Sequence, residues 1–519
     1  MSNGKRTRII AWILLIATAA ATVPLGLRLM AARGPHWLGH NNDPHYHYLV
    51  DSLHAARFKV SSHVDHPGTT VQLIGAAAIR VKHVFSGQSE LVRDVLKNPE
   101  PYANAISYTL LMIHAVLVFA AGVIAFKATG NIFLALLIQI GPHLSVSSLD
   151  SLTRPKPESL LLSLSCLMGA LVLAHLWKRD SSKGVRIAVM LGIVTGLAIV
   201  TKITAAVLAI IPLLILDDRR SRLTYLAAAF LAALIAFLPV IIGGRLTRFF
   251  TFILQLSTHT GLYGQGAAAF IDVSAYVAAI GDLARYERLL FTVVCYAAGL
   301  LVWCRITTDE TSDLHKALRR GLFAVTLAMA VQILVTAKHP LYHYLVPALG
   351  LLGLSGALIL GLLLERREQV GATSGAGLFL TMLFLIAAFQ GTQWVALVKM
   401  LDRCRDTQLT IVRNLERYEG WTQVCAFGSS AIPLGLSVGN AYAGGEYGVI
   451  LKQLYPDFIA YPTRMDATNR ILLRGSRLHD DEEIKDVLEE VYSGLEPEDR
   501  RWADRHGMER LFRLKGQVR

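Results

Sequence analysis

Long, nearly uninterrupted runs of apolar residues recur down this chain, and no other feature of the sequence restricts its fold as much. A hydrocarbon layer about 30 Å thick is crossed by about 20 helical residues. Eleven runs approach or exceed that length, at 9–30, 105–126, 131–149, 158–177, 185–200, 203–216, 222–242, 287–304, 320–337, 344–364 and 374–398. The fifth and sixth are parted only by Thr201-Lys202, read as a tight turn because 185–216 is too long for one straight helix. With 53% hydrophobic and only 17% charged residues, the chain holds more apolar surface than a soluble core consumes, and the surplus faces lipid. The expectation is an α-helical polytopic membrane protein with about 11 transmembrane helices.

The net charge of +13 does not indicate nucleic acid. Residues 1–398 carry 33 Lys and Arg against 19 Asp and Glu, whereas 399–519 carry 18 against 19. The basic excess therefore lies between apolar runs, where short cationic loops fix orientation in a bilayer. Lys5, Arg6 and Arg8 place the N-terminus in the cytoplasm, ahead of a run read as a retained first helix and not a cleaved signal. The basic connections at Lys127, Lys178-Arg179, Arg219-Arg220, Arg305 to Arg320 and Arg366-Arg367 then fall on the same inner side.

The outer side receives loop 31–104, loop 150–157, the turn at Lys202, loop 243–286, the segment 338–343 and the tail from 399. Within the first loop, Pro44 to Leu53 and Pro67 to Phe85 show helical apolar spacing, which predicts two helices lying along the membrane surface. Residues 1–398 are thus read as the membrane domain and 399–519 as a small extracytoplasmic C-terminal α/β domain, with a strand at Val424-Cys425-Ala426-Phe427, a helix near 446–455 and a helical final 40 residues. No internal repeat stands out.

Among the five cysteines, Cys166, Cys295 and Cys304 lie in apolar runs, which leaves Cys404 and Cys425 as the pair an oxidising compartment would close. The outer loops gather Asp43, His66, Arg154, Lys156, Glu158, Lys202, Lys338, His339 and His343 at the ends of spans. Ionisable groups at the membrane edge are expensive to bury, and a whole set on one face suits function better than chance. Asp43 precedes Pro44 and reads equally as a helix cap or as a carboxylate for a substrate hydroxyl. In Arg154-Pro155-Lys156-Pro157-Glu158 two cations and an acid stand at a span entrance stiffened by prolines, and Lys202, Lys338 and His339 share that depth, which suits an anionic phosphate. His45, His47, His63 and His66 follow no zinc-ligand spacing.

These motifs resemble those of the GT-C superfamily of membrane glycosyltransferases, in particular its protein mannosyltransferase and aminoarabinose transferase branch, over most of residues 1–400. Asn42-Asp43-Pro44-His45-Tyr46 is similar to the acidic signature of the first outer loop, and His66-Pro67-Gly68 to a His-Pro-Pro element. Arg154 to Leu161, Gly196 to Lys202, and Lys338-His339-Pro340-Leu341-Tyr342-His343-Tyr344 resemble three further elements of that family. The resemblance implies a GT-C-like fold and an inverting transfer of a sugar from a polyprenyl-phosphate donor to a lipid, glycan or protein acceptor on the non-cytoplasmic face. It implies Asp43 and Glu158 as catalytic, and His66, Arg154, Lys156, Lys202, Lys338, His339 and His343 as substrate-binding. A divalent cation, Mg or Mn, stays open as cofactor, because no Asp-x-Asp pair stands near Asp43. The expected location is the plasma membrane, a bacterial inner membrane, and eleven spans from a cytoplasmic N-terminus place the C-terminus outside.

A transporter or lipid flippase would place ionisable groups near the bilayer midplane, and here they concentrate at one surface. A non-catalytic scaffold is the remaining alternative.

Overall fold

The computed structural model describes residues 3–38, 45–64, 68–178, 184–258, 273–307, 312–370, 375–415, 422–425, 431–456, 458–460, 470–474, 497–502 and 509–514. The chain divides into two compact units. One comprises residues 1–29, 64–71 and 108–397, and the other 30–63, 72–107 and 398–519. The first outer loop thus groups largely with the C-terminal segment.

The first unit is helical. Eight helices among the described residues are long and apolar enough to cross a membrane: Lys5–Arg33, Pro99–Thr129, Pro157–Trp177, Gly184–Thr201, Arg219–Ile242, Arg288–Ile306, Asp313–Ala337 and Tyr342–Glu365. The helix Gly375–Leu415 adds a bent pair, Ala376–Ala388 and Gln390–Asp406, at 42° to each other. Where the third and sixth runs predict full spans, the helices are short, at Ile132–His143 and Ile203–Ile215. Pro142 converts the first of these to a 3-10 turn at Gly141–His143, after which Ser145 caps a new helix, Val146–Ser151. The second begins as a 3-10 stretch over Ile203–Ala209 and resumes as Ile210–Ile215.

Helix starts follow local chemistry. The Asn131 carboxamide accepts from the amides of Phe133 and Leu134, the Asp218 carboxylate from that of Ser221, and the Ser312 hydroxyl from that of His315, each satisfying a donor that a helix N-terminus leaves over. The tightest pairing joins Gly184–Thr201 to Arg219–Ile242. A Cβ at Gly192 or Gly196 would run into the backbone carbonyls of Tyr225 and Ala229 respectively, so the two backbones touch through a Gly-x-x-x-Gly stripe.

The second unit contains the surface-helix candidates as Tyr46–Ala56 and, in part, Thr69–Val84. Tyr46–Ala56 packs on Ile432–Ala443, where Gly435 and Gly439 leave room for the ring and carbonyl of Tyr46. Among the described residues, five strands form one sheet: β1 (Thr422–Cys425), β2 (Phe458–Ala460), β3 (Arg470–Arg474), β4 (Pro497–Trp502) and β5 (Glu509–Leu514), in the order β2-β1-β3-β5-β4. β1 runs parallel to β2 and β3, and β5 antiparallel to β3 and β4. The expectation of helix over the final 40 residues is therefore corrected at 497–502 and 509–514, where cross-strand pairing overrides charge-rich helical propensity. The helix expected near 446–455 forms as Gly448–Leu454. Cys404 carries a free thiol.

Candidate active site

The segment 151–158 folds by its own hydrogen bonds. Lys156 is extended (φ −127°, ψ 160°), as a residue before proline prefers, and Pro157 occupies the first turn of Pro157–Trp177. The Ser159 hydroxyl reaches the carbonyls of Ser151 and Arg154 at 2.6 and 2.7 Å, strapping the loop over the helix start. This sets Glu158 in the first helical turn, where the exposed amide dipoles favour a carboxylate.

Lys202 ends the neighbouring helix. Its backbone is extended (φ −160°, ψ 127°) between Gly184–Thr201 and the 3-10 stretch. Its ammonium donates to Glu158 Oε1 and sits 4.3 Å from the centre of the Tyr344 ring. Both ends of the ion pair are enclosed, with side-chain exposures of 1% for Lys202 and 4% for Glu158. His343 Nε2 approaches the same Glu158 oxygen at 3.9 Å, and the Lys156 charge also acts on this carboxylate. Tyr344 is held by its carbonyl, which accepts from Gln332 at 2.8 Å, and its ring meets His343 edge-on at 4.4 Å and His339 at 5.7 Å. Glu158 Oε2 is buried and makes no hydrogen bond to any described residue.

Of the residues expected to bear function, the fold brings Glu158, Lys202 and His343 together directly, with Lys156 in electrostatic reach and His339 against Tyr344. Arg154 turns to Asp150, one turn back, at 2.7 Å. Lys338 donates to the carbonyl of Ser257, and partial burial lowers its pKa below the usual lysine value. Asp43 and His66 lie outside the described residues. Among those described, no group of three or more His, Cys, Asp or Glu side chains is arranged to hold a metal ion. Sequence reasoning did not single out Tyr344 or Asp150. The spacing of Asp150 four residues before Arg154 is a helix ion-pair signal that would have found the latter.

No protein-family model and no curated protein matches this sequence. Among solved structures, the chain is similar to ArnT from Cupriavidus metallidurans bound to undecaprenyl phosphate, at a TM-score of 0.53 and 11% identity over 98% of each chain. An oligosaccharyltransferase from Archaeoglobus fulgidus, in complex with Zn and sulfate, scores 0.47 at 11% identity over 92% of this chain and 70% of its own. The likeness to ArnT spans nearly all of both molecules, and the chain has the fold of that protein.

Proposed function

We propose that this multi-pass membrane protein of GT-C fold is an inverting glycosyltransferase that moves a sugar from a polyprenyl-phosphate donor to a lipid, glycan or protein acceptor on the non-cytoplasmic face. One observation carries the reading: a buried carboxylate, Glu158, is approached by Lys202, His343 and Lys156 inside an apolar bundle. Charges in such surroundings persist only when balanced, and a phosphate is the anion that three basic groups around one acid favour. The cluster is built from helix ends, Glu158 opening one span and Lys202 following another, a depth that suits a lipid phosphate and not a midplane transport site. The undecaprenyl phosphate bound to ArnT supports the same substrate class.

In this reading the acceptor hydroxyl attacks the anomeric carbon, the bond from that carbon to the phosphate oxygen breaks, and the polyprenyl phosphate departs as an anion against Lys202 and the neighbouring basic groups. Asp43 takes the hydroxyl proton, while Glu158 holds Lys202 in place. His66, Arg154, Lys338 and His339 complete substrate binding, and a divalent cation, Mg or Mn, would serve the phosphate if one is used. The proposal includes eleven spans, residues 399–519 as an extracytoplasmic α/β domain and a plasma-membrane location.

The test is Asp43→Asn. If Asp43 were only a helix cap, asparagine would replace it within a few tenths of a kcal/mol and turnover would survive. As the base, its loss lowers turnover on the order of 10² to 10⁴, read as release of polyprenyl phosphate by purified protein whose melt is unchanged. Near wild-type turnover would remove Asp43 from this role.

A further inference from the structure

The turn that buries Tyr344 against Lys202 presents Tyr342 to the outside. Tyr342 stacks on Tyr286, the last residue of the helix Val273–Tyr286, with ring centres 3.8 Å apart and planes 14° from parallel. The two are 37% and 39% exposed. A parallel sandwich is a poor geometry for two rings by themselves, and core packing does not account for a pair left so open. Beside it, the carboxylate of Asp150, 30% exposed, holds the Arg154 guanidinium at 2.7 Å. Asp150 and Arg154 both act on Tyr286, whose hydroxyl is pushed up to about 12, by burial first and then by Asp150. The adjacent Glu287 turns inward instead, accepting from the Ser145 hydroxyl at 2.8 and 2.9 Å.

We propose that Tyr286, Tyr342, Asp150 and Arg154 form a carbohydrate subsite that receives the sugar ring of a glycosyl phosphate. The ring lies with its C–H face on the tyrosine pair, and its hydroxyls meet a carboxylate acceptor and a guanidinium donor fixed to each other. Chain connectivity sets the fit. Tyr342, His343 and Tyr344 are consecutive in one 3-10 turn, about 2 Å apart in rise. His343 and the neighbour of Tyr344, Lys202, belong to the phosphate-binding cluster, and a glycosyl phosphate places its ring one oxygen from phosphorus. This inference rests on the glycosyltransferase reading and assigns its sugar recognition.

The experiment measures binding by the full-length protein in detergent to undecaprenyl phosphate alone and to undecaprenyl phosphate bearing glucose, mannose or arabinose. The wild type is expected to bind at least one glycosylated lipid more tightly than the bare one. Tyr342→Ala and Asp150→Asn should each weaken that lipid on the order of tenfold and leave undecaprenyl phosphate unchanged, while Tyr342→Phe keeps the preference. Equal weakening of both lipids by Tyr342→Ala would make the tyrosines a membrane-interface anchor and overturn the subsite, as would a wild type that gains nothing from any of the three sugars. If Tyr342→Ala fails to fold, Asp150→Asn decides. A wild type that binds no undecaprenyl phosphate strikes the glycosyltransferase reading itself, an outcome distinct from loss of the sugar preference alone.

Discussion

At Lys202 one ammonium meets a carboxylate and the face of an aromatic ring, and all three are enclosed together. Removing one member strands its partner. Lys202→Met is therefore expected to lower stability by about 3–5 kcal/mol, the typical loss when a buried pair is broken from one side, and to abolish transfer. Adding Glu158→Gln removes the stranded charge and should recover most of the melting temperature without recovering activity. A double variant that melts as low as the single one would show that the pairing is not the source of the loss. Sequence reading singled out both residues as charged side chains at the edges of apolar runs, and the fold pairs them. Tyr344 was not singled out, because a tyrosine in such a run is ordinary until its neighbours are known. The partnership of Glu158 with His343, across 185 positions of chain, needs the fold itself.

At the scale of elements, contact between Gly184–Thr201 and Arg219–Ile242 depends on what Gly192 and Gly196 lack. In lipid, helices associate through close packing more than through exclusion of water, so a side chain in that seam has no compensating gain. Gly196→Leu should destabilise by about 1–3 kcal/mol and reduce transfer as well, because Lys202 follows directly on the displaced helix end. Gly299→Ala, where an added methyl meets nothing within 4 Å, is the control and should melt at or above wild type; equal melting of the two variants would refute the packing argument. The stripe is visible as Gly192-Ile193-Val194-Thr195-Gly196, although sequence reading took Gly196 only as the start of a motif running to Lys202. Most spans were legible from apolar length alone. The interruption at Gly141-Pro142 carried a Gly-Pro breaker that a reading by apolar length passed over, and the strands at 497–502 and 509–514 were hidden because their charge-rich sequences read as exposed helix.

For the molecule as a whole, parity decides the sidedness of its ends. Among the described residues, the eight long helices give nine crossings if the bent pair is one span, and the short helices Ile132–His143 and Ile203–Ile215 raise this to eleven if both traverse. Either odd number puts the C-terminus opposite the N-terminus, so a reporter fused at Arg519 should score as extracytoplasmic. A reporter at Lys178 separates the two counts. Eleven crossings put it in the cytoplasm, as its basic neighbourhood favours, whereas nine put it outside, and an external signal there would reduce the count while leaving the C-terminus where it is.

The glycine seam also imposes an order of assembly. Its two halves are separated by residues 202–218, which include both Lys202 and the interrupted helix. During synthesis the first half emerges with its notch empty, and the contact closes only after the chain through about Ile242 has been delivered to the membrane. Lys202 must wait in transit with its neighbours incomplete, and the short segment after it is drawn into place by the helices that flank it. A nascent chain halted between the two halves would expose a surface shaped for a helix not yet made, an interval open to mispairing.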